Sequence, residues 1–287
     1  MLRHGAMSFI DRIGECNAHD LAGFRPFVVA GARVGWVRHA LAERFARFAR
    51  VFTVRDDAIE LDRRLDSFES RSAAMVPVVD WLEAEGLLTG RRDEFYPVAT
   101  SWGARPLLRL ERAAVPRFGV RAWGVHMTGF VRTPDGIAIW VPRRARDRPT
   151  YPGMLDNTVA GGQPIGLSFR DNLVKECGEE AGIPPDLARR AVSVGAIAYR
   201  LEAEDGLKPD VQICFDLELP PDFAPRAIDG EIESFALLQA AEVMRLVRDT
   251  SLFKFNCNLV LIDFFVRHGL IGPEDPDYVA ICRGLRR

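Results

Sequence analysis

Three glutamates lie close together in one segment of this 287-residue chain, at Glu176, Glu179 and Glu180. In a helix, positions i, i+3 and i+4 place all three carboxylates on one side of a single turn. Like charges at that spacing cost roughly 0.2–0.5 kcal/mol per pair. The cluster suits a hard divalent cation such as Mg²⁺, because that ion prefers oxygen ligands. The alternative is a solvated acidic face whose charge Lys175 balances.

The sequence around the glutamates predicts the helix that would carry them. Ser168 is a favourable N-cap, and Asp171 stands three residues later, in the place of a capping-box acid. Gly182 ends the segment. Inside it, Gly178 costs up to about 1 kcal/mol relative to alanine. The helix predicted over 168–181 therefore combines clustered like charges with an interior glycine, and both features destabilise a helix. Such features are expected together at a functional site.

A glycine-rich segment precedes this helix and can bring backbone carbonyls close to the same ion. The whole region resembles a Nudix box, with the pattern G-x5-E-x7-R-E-U-x-E-E-x-G-U, in which U is a bulky aliphatic residue. Lys175 replaces the arginine and Cys177 an aliphatic residue, while Leu167 stands where the first glutamate belongs. Leu167 is expected to alter the loop geometry more than the metal site. The strict matches are Gly161, Glu176, Glu179, Glu180, Gly182 and Ile183.

The resemblance implies a fold and a chemistry. The fold is a Nudix α/β/α sandwich with a mixed sheet, here preceded by a smaller α+β domain. The chemistry is hydrolysis of a diphosphate linked to another moiety, with Mg²⁺ as cofactor and Mn²⁺ as the alternative ion. By position, the metal ligands are Glu176, Glu179, Glu180 and the carbonyl of Gly161. Outside the box, Glu231 is favoured over Glu233 as the catalytic base, and an ordinary loop acid is the competing interpretation.

Further segments resemble one Nudix subfamily that has an N-terminal domain of its own type, DUF4743-like, over residues 1–115. Residues 116–287 would then form the Nudix domain. The subfamily, known from fungal fusions with thiamine pyrophosphokinase and from plant plastid proteins, implies hydrolysis of thiamine diphosphate, with preference for its oxidised forms. The alternatives are a diphosphatase of nucleotides or nucleotide sugars and a non-catalytic ligand-binding sensor. The matching segments are 112–116, 124–127, 152–156, 207–211, 216–220 and 253–258.

A thiamine diphosphate substrate needs a basic clamp and a slot for its heterocycles. Arg144 and Arg148, upstream of the box, could bind the phosphates through forked hydrogen bonds, although arginines on a loop are often only solvated. The slot candidates are His126, on a predicted strand, and Lys254 and Asn258, at a predicted helix start. A single histidine on an apolar strand is more often a satisfied core residue.

The composition excludes several classes of protein. With 48% hydrophobic and 27% charged residues, the chain is of the ordinary globular kind. Its formal net charge of -2 argues against a nucleic-acid partner bound by general basicity. No stretch approaches the roughly 18 apolar residues of a membrane span, and the first residues lack a secretory pattern. The five scattered cysteines form no C-x-x-C pair, which argues against a disulfide framework or a zinc knuckle.

We therefore expect a cytoplasmic protein whose partner is a small-molecule diphosphate, with neither nucleic acid nor membrane involved and a homodimer left open. Local patterns predict the elements that position the site. Two extended runs, 120–132 and 137–142, flank a turn of Pro-Asp-Gly type. Further strands are predicted at 27–29, 51–54, 158–161, 191–201, 211–219 and 232–237, and further helices at 37–48, 67–88, 240–248 and 256–268.

Overall fold

The computed structural model describes residues 7–286, in which the regular elements alternate along the chain. The helices are α1 (Phe9–Glu15), α2 (His39–Phe45), α3 (Phe68–Ala84), α4 (Val115–Phe118), α5 (Phe169–Ala181), α6 (Pro185–Ala188), α7 (Ala240–Asp249), α8 (Phe255–Arg267) and α9 (Tyr278–Gly284). The strands are β1 (Phe24–Val29), β2 (Ala32–Arg38), β3 (Phe52–Val54), β4 (Ile59–Leu61), β5 (Phe95–Val98), β6 (Leu108–Glu111), β7 (Trp123–Thr133), β8 (Gly136–Arg144), β9 (Val159–Gly162), β10 (Val192–Ala198), β11 (Leu201–Ala203), β12 (Gly206–Lys208), β13 (Val211–Glu218) and β14 (Ile232–Gln239).

The N-terminal half is built on a four-stranded sheet in the order β2-β1-β4-β3 and on the antiparallel hairpin β5–β6. Its core contains four phenylalanine rings. Phe118 has no exposed surface, and its ring centroid lies 5.3 Å from that of Phe27 and 5.3 Å from that of Phe45. Phe52 completes the cluster. Because aromatic rings bury large apolar areas, this cluster is a main source of stability in the N-terminal half.

The C-terminal half is built on a mixed sheet in the order β10-β13-β7-β8-β14, with β9 also paired to β7. β7 and β13 are parallel, and the other pairs are antiparallel. Successive side chains of β7 face opposite sides of the sheet. Val125 and Met127 pack with Leu173 and Cys177 of α5, whereas Phe130 packs with the helices on the other face, among them α8. The predicted α/β/α sandwich is therefore confirmed.

Long-range pairing explains where the structure differs from the predicted elements. Residues 32–38 form strand β2, although the predicted helix began at residue 37, because β2 pairs along its length with β1. α3 ends at Ala84 rather than at residue 88, and Gly86 follows with a φ of +68°. α1 and α9 were not predicted. α1 packs against both α8 and α9, so residues 9–15 lie with the C-terminal half, and the division into domains at residue 115 stays a prediction. Within residues 7–286, no helix is long and apolar enough to span a membrane.

Candidate active site

α5 presents the glutamates because its other side is fixed in the core. Its N-cap Ser168 accepts a hydrogen bond from the backbone N–H of Asp171 at 3.1 Å and donates one to the Asp171 carboxylate at 2.6 Å. The helix ends at Gly182, whose φ of +61° is the left-handed conformation that glycine favours. Leu173 and Cys177 are fully buried against the sheet. The predicted cap and terminator therefore fix which face of α5 carries the acids.

Glu180 is the most buried of the three acids, with 6% of its surface exposed. Its carboxylate accepts a hydrogen bond from the backbone N–H of Ala160 at 3.0 Å. Burial raises the pKa of Glu180 well above its usual value, and the nearby charges of Asp156, Glu176 and Glu231 add to the increase. An ionised Glu180 therefore lies in a region with an excess of negative charge, which a bound cation would relieve.

Glu176 lies directly against the glycine of the approach segment. A Cβ atom added at Gly161 would come within 2.4 Å of Cδ of Glu176, so the contact needs glycine. Lys175 donates to Glu176 at 3.2 Å and to Glu179 at 2.7 Å. Burial raises the pKa of Glu176, and Lys175 partly offsets this effect. The side chain of Glu179 is 51% exposed, which places it at the rim of the group.

These donors fit a hard divalent ion. Three carboxylates and the Gly161 carbonyl would offer only oxygen atoms, as Mg²⁺ prefers. A second group, His126, Asp156 and Cys257, has ligand atoms within 4.8 Å of one another, but it mixes nitrogen, oxygen and sulfur. Asp156 there already accepts hydrogen bonds from Arg144 at 2.9 Å and from Cys257 at 2.8 Å. The second group is therefore a hydrogen-bonded core cluster, and the glutamates match magnesium better.

The structure brings Glu231 and Arg148 together. Nη2 of Arg148 lies 2.6 Å from Oε1 of Glu231, and Nη1 of Arg92, from the N-terminal half, lies 3.4 Å from the same oxygen. The charge of Glu231 also contributes to the raised pKa of Glu180, so the two acids are neighbours. Glu233, the disfavoured alternative, is exposed and lies 3.7 Å from Arg146. Of the two acids, Glu231 is thus the one whose charge acts on Glu180, and its role as the catalytic base stays a prediction.

The guanidinium of Arg144 points into the protein, in contrast to the predicted phosphate contact. It is buried and donates to Asp156 at 2.9 Å, to the carbonyl of Tyr151 at 3.2 Å and to that of Thr150 at 3.2 Å. Tyr151 has a φ of +52°, a conformation that is costly for a residue with a side chain. Arg144 therefore holds the loop that carries Tyr151, because its donors are already in use.

The three slot candidates do not lie together at the surface. His126 is 3% exposed on the face of β7 opposite α5, where its Nδ1 lies 2.7 Å from Oδ1 of Asn157. Burial lowers the pKa of His126 to about 4, with Lys254 adding to the shift, so the ring is neutral at pH 7. Asn258 is also 3% exposed. Lys254 is the more accessible of the three, with its Nζ 5.8 Å from the centre of the Tyr151 ring.

The sequence did not reveal an aromatic and acidic group beside Gly161. The rings of Tyr151 and Tyr199 lie 5.6 Å and 5.7 Å from that of Phe255. Tyr199 donates to Asp210 at 3.1 Å and accepts from Gln212 at 3.4 Å. Gln212 adjoins Gly161, since a Cβ added at Gly124 would lie 2.4 Å from Gln212 Oε1 and 3.0 Å from Gly161 O. Segment 207–211 was among the segments that resemble the Nudix subfamily, but that resemblance did not assign a role to Asp210.

Asp210 should make stability depend on pH. Burial raises its pKa from 3.8 to about 6, against the hydrogen bond from Tyr199 and the charge of Lys208. The folded state therefore binds this proton more tightly than the unfolded state does. The stability that the bound proton contributes is lost as the pH rises through about 6. We expect Asp210→Asn to raise the free energy of unfolding at pH 7.5 by about 2 kcal/mol. This is less than the free energy that corresponds to a pKa shift of about two units, because the Asp210 carboxyl is partly exposed.

Urea unfolding at pH 4 and at pH 7.5 measures this effect. The variant should gain little at pH 4, where Asp210 is protonated in the folded protein. Asp205→Asn is the matched control, since Asp205 also pairs with Lys208 but has a half-exposed side chain. An equal gain at both pH values would show that Asp210 does not titrate in this range.

The fold and site define a class of protein. An α/β/α sandwich that holds three clustered glutamates beside a glycine segment, with arginines at the rim, is the arrangement of a metal-dependent hydrolase of diphosphates. Residues 8–122 match a family model described as "Domain of unknown function (DUF4743)". This match confirms the N-terminal domain type that the sequence suggested.

Two curated plant proteins are similar over almost the whole chain. Nudix hydrolase 20, chloroplastic, of Arabidopsis thaliana is 42% identical over 289 residues, which cover 97% of this chain and 77% of that protein. Nudix hydrolase 24, chloroplastic, of the same plant is 41% identical over 282 residues, again covering 97% and 77%. The Nudix domain of Shewanella oneidensis NrtR, solved with ADP ribose, is 13% identical with a TM-score of 0.42, over 53% of this chain and 90% of that one.

The chain therefore belongs to the Nudix hydrolase family, and it is a hydrolase of pyrophosphate bonds. Members of this family generally use divalent metal ions. The expected cytoplasmic location is wrong by the same comparison, because both plant relatives are chloroplastic by name. That expectation rested on the lack of a membrane-spanning stretch and of a secretory pattern, and neither distinguishes the cytoplasm from other compartments. The homodimer stays a prediction.

Proposed function

We propose that the protein hydrolyses thiamine diphosphate, with preference for its oxidised forms, to the monophosphate and phosphate. The observation that carries this choice is the aromatic and acidic group beside the candidate metal ligands. Phe255 and Tyr151 offer apolar ring faces to a heterocycle, and Asp210 offers a hydrogen-bond acceptor to its amino group. Lys254 and Lys208 add positive charge to this group, with Nζ of Lys254 5.8 Å from the centre of the Tyr151 ring and Lys208 close to Tyr151 and Asp210.

Glu176, Glu179, Glu180 and the carbonyl of Gly161 would hold Mg²⁺, with Mn²⁺ as the alternative ion. The ion, when bound, neutralises charge on the phosphate oxygens and lowers the pKa of a coordinated water. The burial of Glu180 supports this role. Among residues 7–286 the structure shows one hydrogen bond to its carboxylate, from the N–H of Ala160, which leaves carboxylate oxygen available to a ligand other than protein.

Arg148 and Glu231 form the reactive side of the proposed site. A diphosphate competes with Glu231 for the Arg148 guanidinium, since both offer oxygens to the same forked donors. Once Arg148 turns to the phosphate, Glu231 loses its 2.6 Å ion pair with Arg148, keeps the 3.4 Å contact with Arg92, and can accept a proton from the attacking water. Arg144 takes no part in this step and holds the Tyr151 loop in place.

Hydrolysis of a panel of diphosphates tests the proposed substrate. Thiamine diphosphate, oxothiamine diphosphate, ADP-ribose and NADH are each incubated with protein and Mg²⁺, and the products are separated by chromatography. We expect kcat/KM for oxothiamine diphosphate to exceed that for ADP-ribose by at least about tenfold, because a fitted pocket discriminates by that much or more. Higher turnover of ADP-ribose or NADH would instead assign the protein to the nucleotide diphosphatases.

A ligand-binding sensor is the second candidate, and Leu167 is the observation that favours it. Leu167 occupies the place of the first glutamate of the box and is 36% exposed just ahead of α5. A sensor would bind oxothiamine diphosphate and leave it intact, so binding without product in the same panel would support that function.

A further inference from the structure

The N-terminal half touches the glycine segment of the active site through hairpin β5–β6. The backbone N–H of Ile165 donates to the carbonyl of Phe95 at 2.9 Å. The hydroxyl of Tyr96 fills the place of a side chain at Gly162, where an added Cβ would lie 1.5 Å from that oxygen. Gly162 must therefore be glycine because a residue of the other half occupies its side-chain space. The hairpin is part of the wall that shapes the site.

Two arginines accompany this hairpin to the site. Arg92, just ahead of β5, contacts Glu231 at 3.4 Å. Arg112 follows β6, and its guanidinium lies 5.8 Å from the centre of the Tyr96 ring while Nη1 donates to Glu94 at 2.7 Å. The charge of Arg112 also reaches Glu176, where it lowers the pKa against the effect of burial. Because the hydroxyl of Tyr96 lies against Gly162, the residue after Gly161, Arg112 lies beside the glycine segment of the candidate metal site.

The free donors of Arg112 are suited to an anion. Its side chain is 39% exposed, and Glu94 is the hydrogen-bond partner that the structure shows for it among residues 7–286. Glu94 takes one nitrogen, which leaves the rest of the guanidinium fork open. A diphosphate that approaches Glu176, Glu180 and Glu231 meets three negative charges, so it needs cationic partners besides the metal ion.

We propose that Arg112 binds a phosphate of the substrate, which makes the N-terminal domain a working part of the active site. The proposal rests on the proposed function only in requiring a diphosphate ligand, whatever its other moiety is. Arg112 would donate hydrogen bonds to the phosphate from hairpin β5–β6, and Arg148 would donate hydrogen bonds to it from the loop after β8. The hairpin β5–β6 would thus carry one of the two arginines that bind the phosphate.

Binding of methylenediphosphonate, a diphosphate that cannot be hydrolysed, tests the proposal in the full-length chain. Isothermal titration in Mg²⁺ should show an affinity about 10- to 100-fold weaker for Arg112→Gln than for the original protein, as expected for the loss of hydrogen bonds between charged groups. Arg109→Gln is the matched control. Arg109 lies on the same hairpin and is exposed, but its guanidinium packs over Phe95. We expect that variant to bind normally.

Titration with Mn²⁺ alone separates phosphate binding from a structural role. If Arg112 binds phosphate, Arg112→Gln keeps its affinity for Mn²⁺ and loses affinity for the diphosphonate. Parallel losses of both affinities would overturn the proposal, because they would mean that Arg112 only supports the wall and Glu176. Should Arg112→Gln fail to fold, Arg112→Lys keeps the charge beside Glu94, and the same comparison is made with an expected loss of about 3- to 10-fold.

The outcomes distinguish this proposal from the proposed function. If the original protein does not bind the diphosphonate in Mg²⁺, the proposed diphosphate hydrolysis fails and the role of Arg112 fails with it. If the original protein binds the diphosphonate and Arg112→Gln binds it as well as Arg109→Gln does, the role of Arg112 alone is wrong.

Discussion

Replacing Glu180 by glutamine should lower kcat for the best diphosphate substrate by about 10³-fold in Mg²⁺, since a metal site supplies several kcal/mol of transition-state stabilisation. Glutamine keeps the size of the side chain and an oxygen for the Ala160 N–H, but it removes the negative charge. Because burial raises the pKa of Glu180, the neutral side chain should leave Tm equal to or above that of the original protein. Steady-state kinetics and calorimetry measure the two effects.

Glu218→Gln is the control for Glu180→Gln. Glu218 lies at the end of β13, where its half-exposed side chain pairs with Arg132. Its substitution should leave both kcat and Tm nearly unchanged, since exposed pairs contribute little. Metal-dependent turnover that persists undiminished in Glu180→Gln would mean that the metal ligands have been wrongly assigned.

Replacing Phe118 by alanine should lower the free energy of unfolding by about 3–5 kcal/mol, as expected for a fully buried aromatic ring. The ring lies among Phe27, Phe45 and Phe52, so its removal leaves a cavity in the middle of the N-terminal core. Urea unfolding followed by circular dichroism measures the loss. Because hairpin β5–β6 belongs to the same core, we expect diphosphonate affinity to fall at urea concentrations where this half unfolds.

Phe48→Ala provides the comparison for Phe118→Ala. Phe48 is only half-buried at the edge of the same core, against Trp81, so its truncation should cost clearly less. Equal losses for the two variants, or a loss below about 1 kcal/mol for Phe118→Ala, would contradict the packing of the four rings.

The sequence predicted correctly those features of the site that depend on residues a few positions apart in the chain. The cap at Ser168 and the stop at Gly182 fixed α5, and with it the face on which the glutamates lie. The Pro-Asp-Gly turn likewise fixed the hairpin β7–β8, whose strands pair from Thr133 and Gly136 onward. Both features depend on residues a few positions apart, which is the range over which propensity and capping act.

Contacts between segments that are distant in the chain could not be predicted from the sequence. Arg92 reaches Glu231 across 139 positions, and no local pattern marks either residue as the partner of the other. The sequence suggested that Arg144 is a phosphate ligand, but its side chain turns inward because Asp156 and the Tyr151 carbonyl accept its hydrogen bonds. These partners become apparent only when the chain has folded.

Successive side chains of a strand point to opposite faces of the sheet, so the orientation of His126 follows once the face to which Val125 or Met127 points is known. Val125 and Met127 pack with α5, so His126 must point to the other face of the sheet, where ligand atoms of Asp156 and of Cys257 on α8 lie within 4.8 Å. The sequence showed the alternation but not which face α5 would cover. That choice depends on the order of the strands in the sheet, which pairs β7 with β13 and β9.

Titration with Mn²⁺, followed by electron paramagnetic resonance, tests most directly whether the glutamates of α5 hold a metal ion. The original protein should bind Mn²⁺, and Glu180→Gln should bind it at least about tenfold more weakly, while Glu218→Gln should match the original protein. Mg²⁺ should displace the bound Mn²⁺. Equal Mn²⁺ affinity in Glu180→Gln and the original protein, or no binding by either, would contradict a metal site on this helix.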